Sequence, residues 1–215
     1  MRPARSLFRL RASTCKRLLR LRNLATPVPA RPPRAPDSRM TYLVLELQST
    51  WANFVRAYYI SAMLSAKTKA AHRIATNQVI ASVDQAIGLA VRLWHPTAVP
   101  DASGRWHRRD EPTWHDPNIL FRLAATYAFS HSADIQAALS MQSRAFIDLP
   151  VVRNFFGHRN QATRDAALAV GLQYGISGLK SPSQLLASRP LGRPQSLILD
   201  WIDDITATVQ LLCHP

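Results

Sequence analysis

The sequence predicts an all-α, up-and-down bundle of five or six helices preceded by a basic helical arm. Two observations predict it. Apolar residues make up 47% of the chain, enough for a core, yet Gly numbers only 7, too few for the turns of a β-sandwich. Apolar positions recur at helical spacing in long runs that prolines interrupt, and no run alternates as a strand would.

Residues 4–24 read as a basic helix, with Leu7, Leu10, Leu18, Leu19 and Leu21 interleaved with Arg9, Arg11, Lys16, Arg17, Arg20 and Arg22. These leucines do not fall on one clean stripe. Pro27, Pro29, Pro32, Pro33 and Pro36 then form a semi-rigid linker and a domain boundary. The domains are therefore 1–39, a basic arm with its linker, and 40–215, the bundle. A long helix follows over 40–66, where Leu43, Leu47, Phe54, Tyr58 and Met63 recur at helical spacing, and a second runs over 74–93. His95 to Pro117 reads as a loop. Asp116-Pro117 is an N-cap followed by a first-turn proline and opens a helix through Phe129. Shorter helices follow over 132–144 and 147–160, the latter extending to Tyr174 with a break. Residues 175–194 read as a loop, and an amphipathic helix over 195–212 ends the pattern.

Charge is unevenly placed. The net value is +14, and residues 1–40 supply +10 of it, from eleven Lys/Arg against Asp37 alone. Such an arm suits a polyanion. On this reading, removing 1–39 leaves the bundle folded and weakens nucleic-acid binding. An Arg-rich, acid-poor start is also the composition of a mitochondrial transit peptide. Cys15 and Cys213 stand far apart, with neither metal-ligand spacing nor a disulfide framework, which fits a reducing cytosol. No apolar run approaches the roughly 18 residues of a membrane span. Phosphate-binding Gly-rich loops, dinucleotide fingerprints and Ser-His-Asp patterns are absent.

Cutting RNA without a metal needs a base for the ribose 2′-OH, a cation for the phosphorane and an acid for the leaving 5′-oxygen. Histidine titrates near neutrality and serves as base or acid. Arginine presents a fixed cationic fork to phosphate oxygens. Both occur in Leu149-Pro150-Val151-Val152-Arg153-Asn154-Phe155-Phe156-Gly157-His158-Arg159-Asn160. Chance supplies about 0.7 Arg-x4-His matches in such a chain, and about 0.02 once Asn must follow the Arg. Arg108 and Arg109 also precede His115 at loosely similar spacing, but across Pro112 in a proline-rich loop.

This segment resembles the motif of the HEPN superfamily (higher eukaryote and prokaryote nucleotide-binding), an Arg, often a polar residue, then a His after four to six positions. The stretch Trp51-Ala-Asn-Phe-Val-Arg-Ala-Tyr-Tyr59 is also similar to that family, and the likeness extends over about 40–212. The resemblance implies a helical, metal-independent endoribonuclease without cofactor, acting by 2′-OH transesterification. It implies a toxin or anti-phage effector in the cytoplasm, an antitoxin or defence-system partner, and a homodimer that builds its site from two facing protomers. Arg153, Asn154 and His158 are then catalytic. Arg159, Asn160, Arg56 and Tyr58 are candidates to bind RNA, their alternative being ordinary helix packing. The other reading of the whole is a non-catalytic nucleic-acid-binding or partner-docking module.

Geometry bears on the motif. Positions five apart on a helix lie about 140° from each other, whereas Asn154 and His158, four apart, share a face. Arg153 must reach around, and a second copy across an interface makes this easier. Val151, Val152, Phe155 and Phe156 also make the segment apolar enough to call for a cover. No metal is expected. Asp203-Asp204 with Glu46 or Asp200 reads as a solvated helix face, and His95, His107 and His115 have spacings that fit no common zinc site.

Overall fold

The computed structural model describes residues 5–26, 38–140 and 143–214. Among them are nine α-helices and two 3-10 turns. The helices are α1 (Leu7–Ala25), α2 (Ser38–Met63), α3 (Val83–Trp94), α4 (Pro117–Thr126), α5 (Ser132–Leu139), α6 (Ala145–His158), α7 (Gln161–Ala169), α8 (Pro182–Ala187) and α9 (Leu197–Leu212). Only isolated bridges at Ser6, Lys67 and Arg73 occur besides these helices among the described residues. The fold is all-α, a helical bundle. No helix there is long and apolar enough to cross a membrane. The Pro-rich linker, Pro27 to Pro36, lies outside the described residues.

The helix count exceeds the expected five or six because caps cut the chain more often than periodicity suggests. Ser82 opens α3: its hydroxyl accepts from Gln85 N–H at 3.2 Å while the Gln85 side chain accepts from Ala81 N–H at 2.8 Å. This pair, a capping box shifted by one residue on its return bond, starts the helix at Val83, not near Ile74. Asp116 caps α4 and Pro117 fills its first turn, as the sequence indicates. Ser181-Pro182 repeats that device and begins α8 inside the expected 175–194 loop.

The chain forms two compact units. The first gathers Met1–Thr14, Trp51–Gln142 and Thr208–Pro215 around buried Trp51, Phe54, Tyr58, Tyr59, Leu120 and Leu123. The second gathers Cys15–Thr50 and Ser143–Ala207 around buried Leu43, Leu47, Leu149, Val152, Trp201 and Ile205.

Residues 7–25 are not a detached arm. Leu7, Leu10, Thr14, Leu18, Leu21 and Ala25 are all at most 2% exposed, a stripe at three- and four-residue spacing. Reading by leucines alone breaks this stripe, because Thr14 and Ala25 belong to it and Leu19, 56% exposed, does not. In the first unit, Leu7 N–H donates to Lys67 C=O and Lys67 N–H to Arg5 C=O, both at 3.0 Å. In the second, Arg17 pairs with Glu46 at 3.1 Å and Arg22 with Asp203 at 3.3 Å. The expectation that 1–39 can be removed without loss of folding is therefore corrected. Leu18→Ala should lower unfolding free energy by about 2–5 kcal/mol, while its neighbour Leu19→Ala should stay within about 0.5 kcal/mol of the parent. Urea titration of both variants checks this, and equal losses would contradict the stripe.

Candidate functional site

The motif lies on the last turns of α6, in the second unit. A buried carboxylate anchors the start of that helix. Asp148 is 3% exposed and accepts from Arg144 Nε at 3.2 Å and from Tyr174 Oη at 2.8 Å. Tyr174 in turn accepts from Trp201 Nε1 at 2.9 Å. Burial holds the Tyr174 phenol above its ordinary pKa, against the lowering hydrogen bond from Trp201 and with the help of Asp148, so it stays a donor. Ser143 adds a local stop: its hydroxyl accepts from Ala145 N–H at 3.1 Å and donates to Asp204 at 2.6 Å. Leu149, Val152 and Phe156 carry the buried face onward.

The opposite face reaches solvent. Asn154, Gly157 and His158 are exposed and Arg153 is half-buried. A Cβ at Gly157 would lie 3.6 Å from Arg153 Nη1 and 3.9 Å from Cζ, so the guanidinium rests over this bare backbone, next in sequence to His158. The Arg153 side chain thus runs along the helix toward its C-terminal end, over position 157. Among the described residues no carboxylate pairs with Arg153. The end of α6 also favours cations, because unpaired carbonyls gather there.

The chain then turns sharply. Arg159 caps α6 in the left-handed region, at φ 49°, and Asn160 caps α7 by accepting from Thr163 N–H at 2.9 Å. Arg159 remains exposed and available to an anion, whereas the Asn160 carbonyl oxygen is engaged by the turn. The apolar content of the segment is less bare than expected. Val152 and Phe156 lie in the unit's own core and Val151 and Phe155 are half-buried, leaving Ile147, 65% exposed, as the open apolar side chain of α6.

Two candidates from the first unit are corrected. Tyr58 is fully buried, with its hydroxyl 2.6 Å from His131 Nε2, so it cannot line an RNA groove. Arg56 forks onto Glu111 at 2.6 and 2.9 Å, a carboxylate 3% exposed that also accepts from Trp114 Nε1 at 2.7 Å. Its fork serves the fold. Three of the four carboxylates weighed for a metal are likewise engaged, Glu46 by Arg17, Asp203 by Arg22 and Asp204 by Ser143.

Sequence reading missed the anchor formed by Asp148, Tyr174 and Trp201, for which no local pattern exists. It also passed over a signal that was present. Between Leu149 and Leu199 stand Arg153, Arg159, Arg164, Lys180, Arg189 and Arg193 against the single acid Asp165, a net +5. Of these, Arg159, Lys180, Arg189 and Arg193 are exposed. Arg164 ties α7 to the following loop by donating to Lys180 C=O at 2.8 Å. No family model, no curated protein and no solved structure matches the chain.

Two outcomes follow. Gly157→Ala should raise stability by up to about 1 kcal/mol, since a helical glycine is costly and the new methyl meets only ordinary contacts. Thermal melts of the pair check it, and a fall would show that the bare backbone is structural. The buried groups also set a pH window. Burial lowers the His131 pKa from its ordinary 6.5, against the opposing pull of Asp134, and raises Tyr58, Tyr59 and Tyr127 from their ordinary 10.0. Neutral imidazole and neutral phenols are the folded forms. Stability should therefore fall as pH drops below about 6.5 and again as it rises above about 10. His131→Gln should remove that histidine's share of the acid-side slope, read as unfolding midpoint against pH.

Proposed function

We propose that this protein is a metal-independent endoribonuclease of the HEPN kind, cleaving RNA by 2′-OH transesterification. One observation carries the reading: a guanidinium without a carboxylate partner among the described residues lies over exposed Gly157 beside exposed His158, in a stretch of net charge +5. A phosphate approaching that face meets the Arg153 fork with no side chain at 157 in the way. His158 takes the proton from the 2′-OH or returns one to the leaving oxygen. Arg153 stabilises the charge on the phosphorane. Asn154, one turn before His158, orients the imidazole or the phosphate. The 2′-oxygen forms its bond to phosphorus as the bond to the 5′-oxygen breaks, leaving a 2′,3′-cyclic phosphate and a 5′-hydroxyl.

One chain brings one histidine to this face, whereas the reaction uses both a base and an acid. A two-fold homodimer with α6 facing α6 supplies the second, and Ile147, Val151 and Phe155 give such a contact an apolar part. Two close imidazoles resist double protonation, which leaves one as base and one as acid. The biological setting, a cytosolic toxin or anti-phage effector with an antitoxin or defence partner, rests on the family resemblance alone. The solitary histidine favours one second reading: a module that binds RNA on the same cations without cutting it.

Arg153→Ala and His158→Ala should each abolish cleavage with the helical circular dichroism unchanged, and EDTA should leave the rate intact. A 2′-deoxy sugar at the cut position should block the reaction, because the nucleophile is gone. Gly157→Ala should cleave more slowly although it melts higher. Cleavage that survives His158→Ala ends the catalytic reading; binding without cleavage by the parent selects the second one. Mixing Arg153→Ala with His158→Ala subunits should restore part of the rate if the site is shared.

A further inference from the structure

A cleft of about 400 Å³ opens along α3 in the first unit, and Gln78, Asp84, Gln85, Gly88, Arg92 and Trp106 are among its walls. Its shape depends on a glycine. A Cβ at Gly88 would lie 2.7 Å from Trp106 Nε1 and 3.0 Å from Cε2, so the indole edge seats directly against the helix backbone. The Arg92 guanidinium stands 5.5 Å from the centre of the Trp106 ring. Arg92 and Asp84 are exposed, and neither has an ion-pair partner among the described residues. Gln85 uses its carbonyl oxygen on Ala81 N–H, leaving its amide group to donate into the cleft.

The cations continue past the cleft. Arg105, Arg108 and Arg109 flank Trp106 in sequence and are all exposed, Arg109 with Asp110 at 3.7 Å. Arg56 and Arg108 share the one carboxylate of Glu111, at 2.6 and 2.9 Å, so one positive charge of that trio is uncompensated. An indole paired with a guanidinium is a platform for a flat, electron-rich ring, and neighbouring arginines suit the phosphates that accompany such a ring. Bases stacked inside a duplex do not reach a platform of this kind.

We propose that the α3 cleft binds an unpaired nucleobase with its phosphate. The base lies against Trp106, its exocyclic amino group donates to Asp84, and Arg92 carries the phosphate. The base comes from a free nucleotide or from a single strand; the run of cations from Arg105 to Arg109 favours the strand. This site does not depend on cleavage at α6.

Fluorescence polarisation of a labelled 2′-O-methyl hexa-adenylate on the full-length protein tests it, since that probe has no free 2′-OH to react. Trp106→Ala and Arg92→Ala should each weaken binding by about tenfold, whereas Trp106→Phe should retain most of it. Gly88→Ala, which pushes the indole off the helix without touching a charge, should weaken it similarly. Asp84→Ala should erase any preference for adenylate over uridylate strands. Competition by adenosine monophosphate at similar concentration assigns the site to free nucleotides, and competition by the hexamer alone assigns it to a strand. Parent-like affinity in both Trp106→Ala and Arg92→Ala, equal competition by duplex, or no saturable binding of either probe overturns the proposal.

Discussion

The candidate site rests on one buried carboxylate. Asp148 is removed from water, a state that costs several kcal/mol for an unsatisfied ion. Arg144 and Tyr174 donate to it, so two donors meet the charge, and Trp201 holds one of them by donating to Tyr174. The consequence is positional. Asp148 sits in the first turn of α6, where the helix dipole also favours an anion, and Arg144 grips it from one turn earlier. The helix is therefore fixed at its beginning, and its last turns can point polar groups outward without a cover. Breaking such a pair from one side leaves a buried charge alone, at the start of the helix that carries His158.

The other end of α6 is fixed by chain direction. A left-handed arginine followed by an asparagine cap turns the backbone into α7 within two residues. Part of what makes the segment look like a nucleic-acid motif is thus turn chemistry. Arg153, Asn154 and His158 lie on the helix. Asn160, although of a type that suits RNA, has its carbonyl oxygen in the turn. The two roles are interleaved because a side chain that must face solvent at a helix end and a residue that must end the helix occupy neighbouring positions.

Sequence made the fold class and several elements legible where the signal is local. Asp116-Pro117 states a helix start in two residues, and α9 states itself by a long apolar face. The losses have one cause: periodicity tells which face is apolar and never what covers it. Thr14 and Ala25 belong to the buried stripe of α1 because a neighbouring surface is there, while Leu19 faces out for want of one. Tyr58 looked available because tyrosine suits a groove; its depth and its contact with His131 come from chain 73 residues away. The same holds for Gly88, whose purpose is invisible until Trp106 is brought to it from a loop. Ser181-Pro182 was readable by the rule that succeeded at Asp116-Pro117, but the surrounding glycines and prolines outweighed it.

The composition of the two units bears on how the chain is made. Each unit closes segments from far apart in sequence: Met1–Thr14 with Thr208–Pro215 in one, Cys15–Thr50 with Ser143–Ala207 in the other. Helical proteins usually fold fast because their contacts are local. Here α1 leaves the ribosome long before α9, and its leucine stripe has no complete partner during that interval. A basic, amphipathic helix waiting in this way is open to chaperones, to premature self-association and to ribosomal RNA itself. Neither unit is complete until the C-terminal segments that close it, within 143–207 in one and 208–215 in the other, have been made.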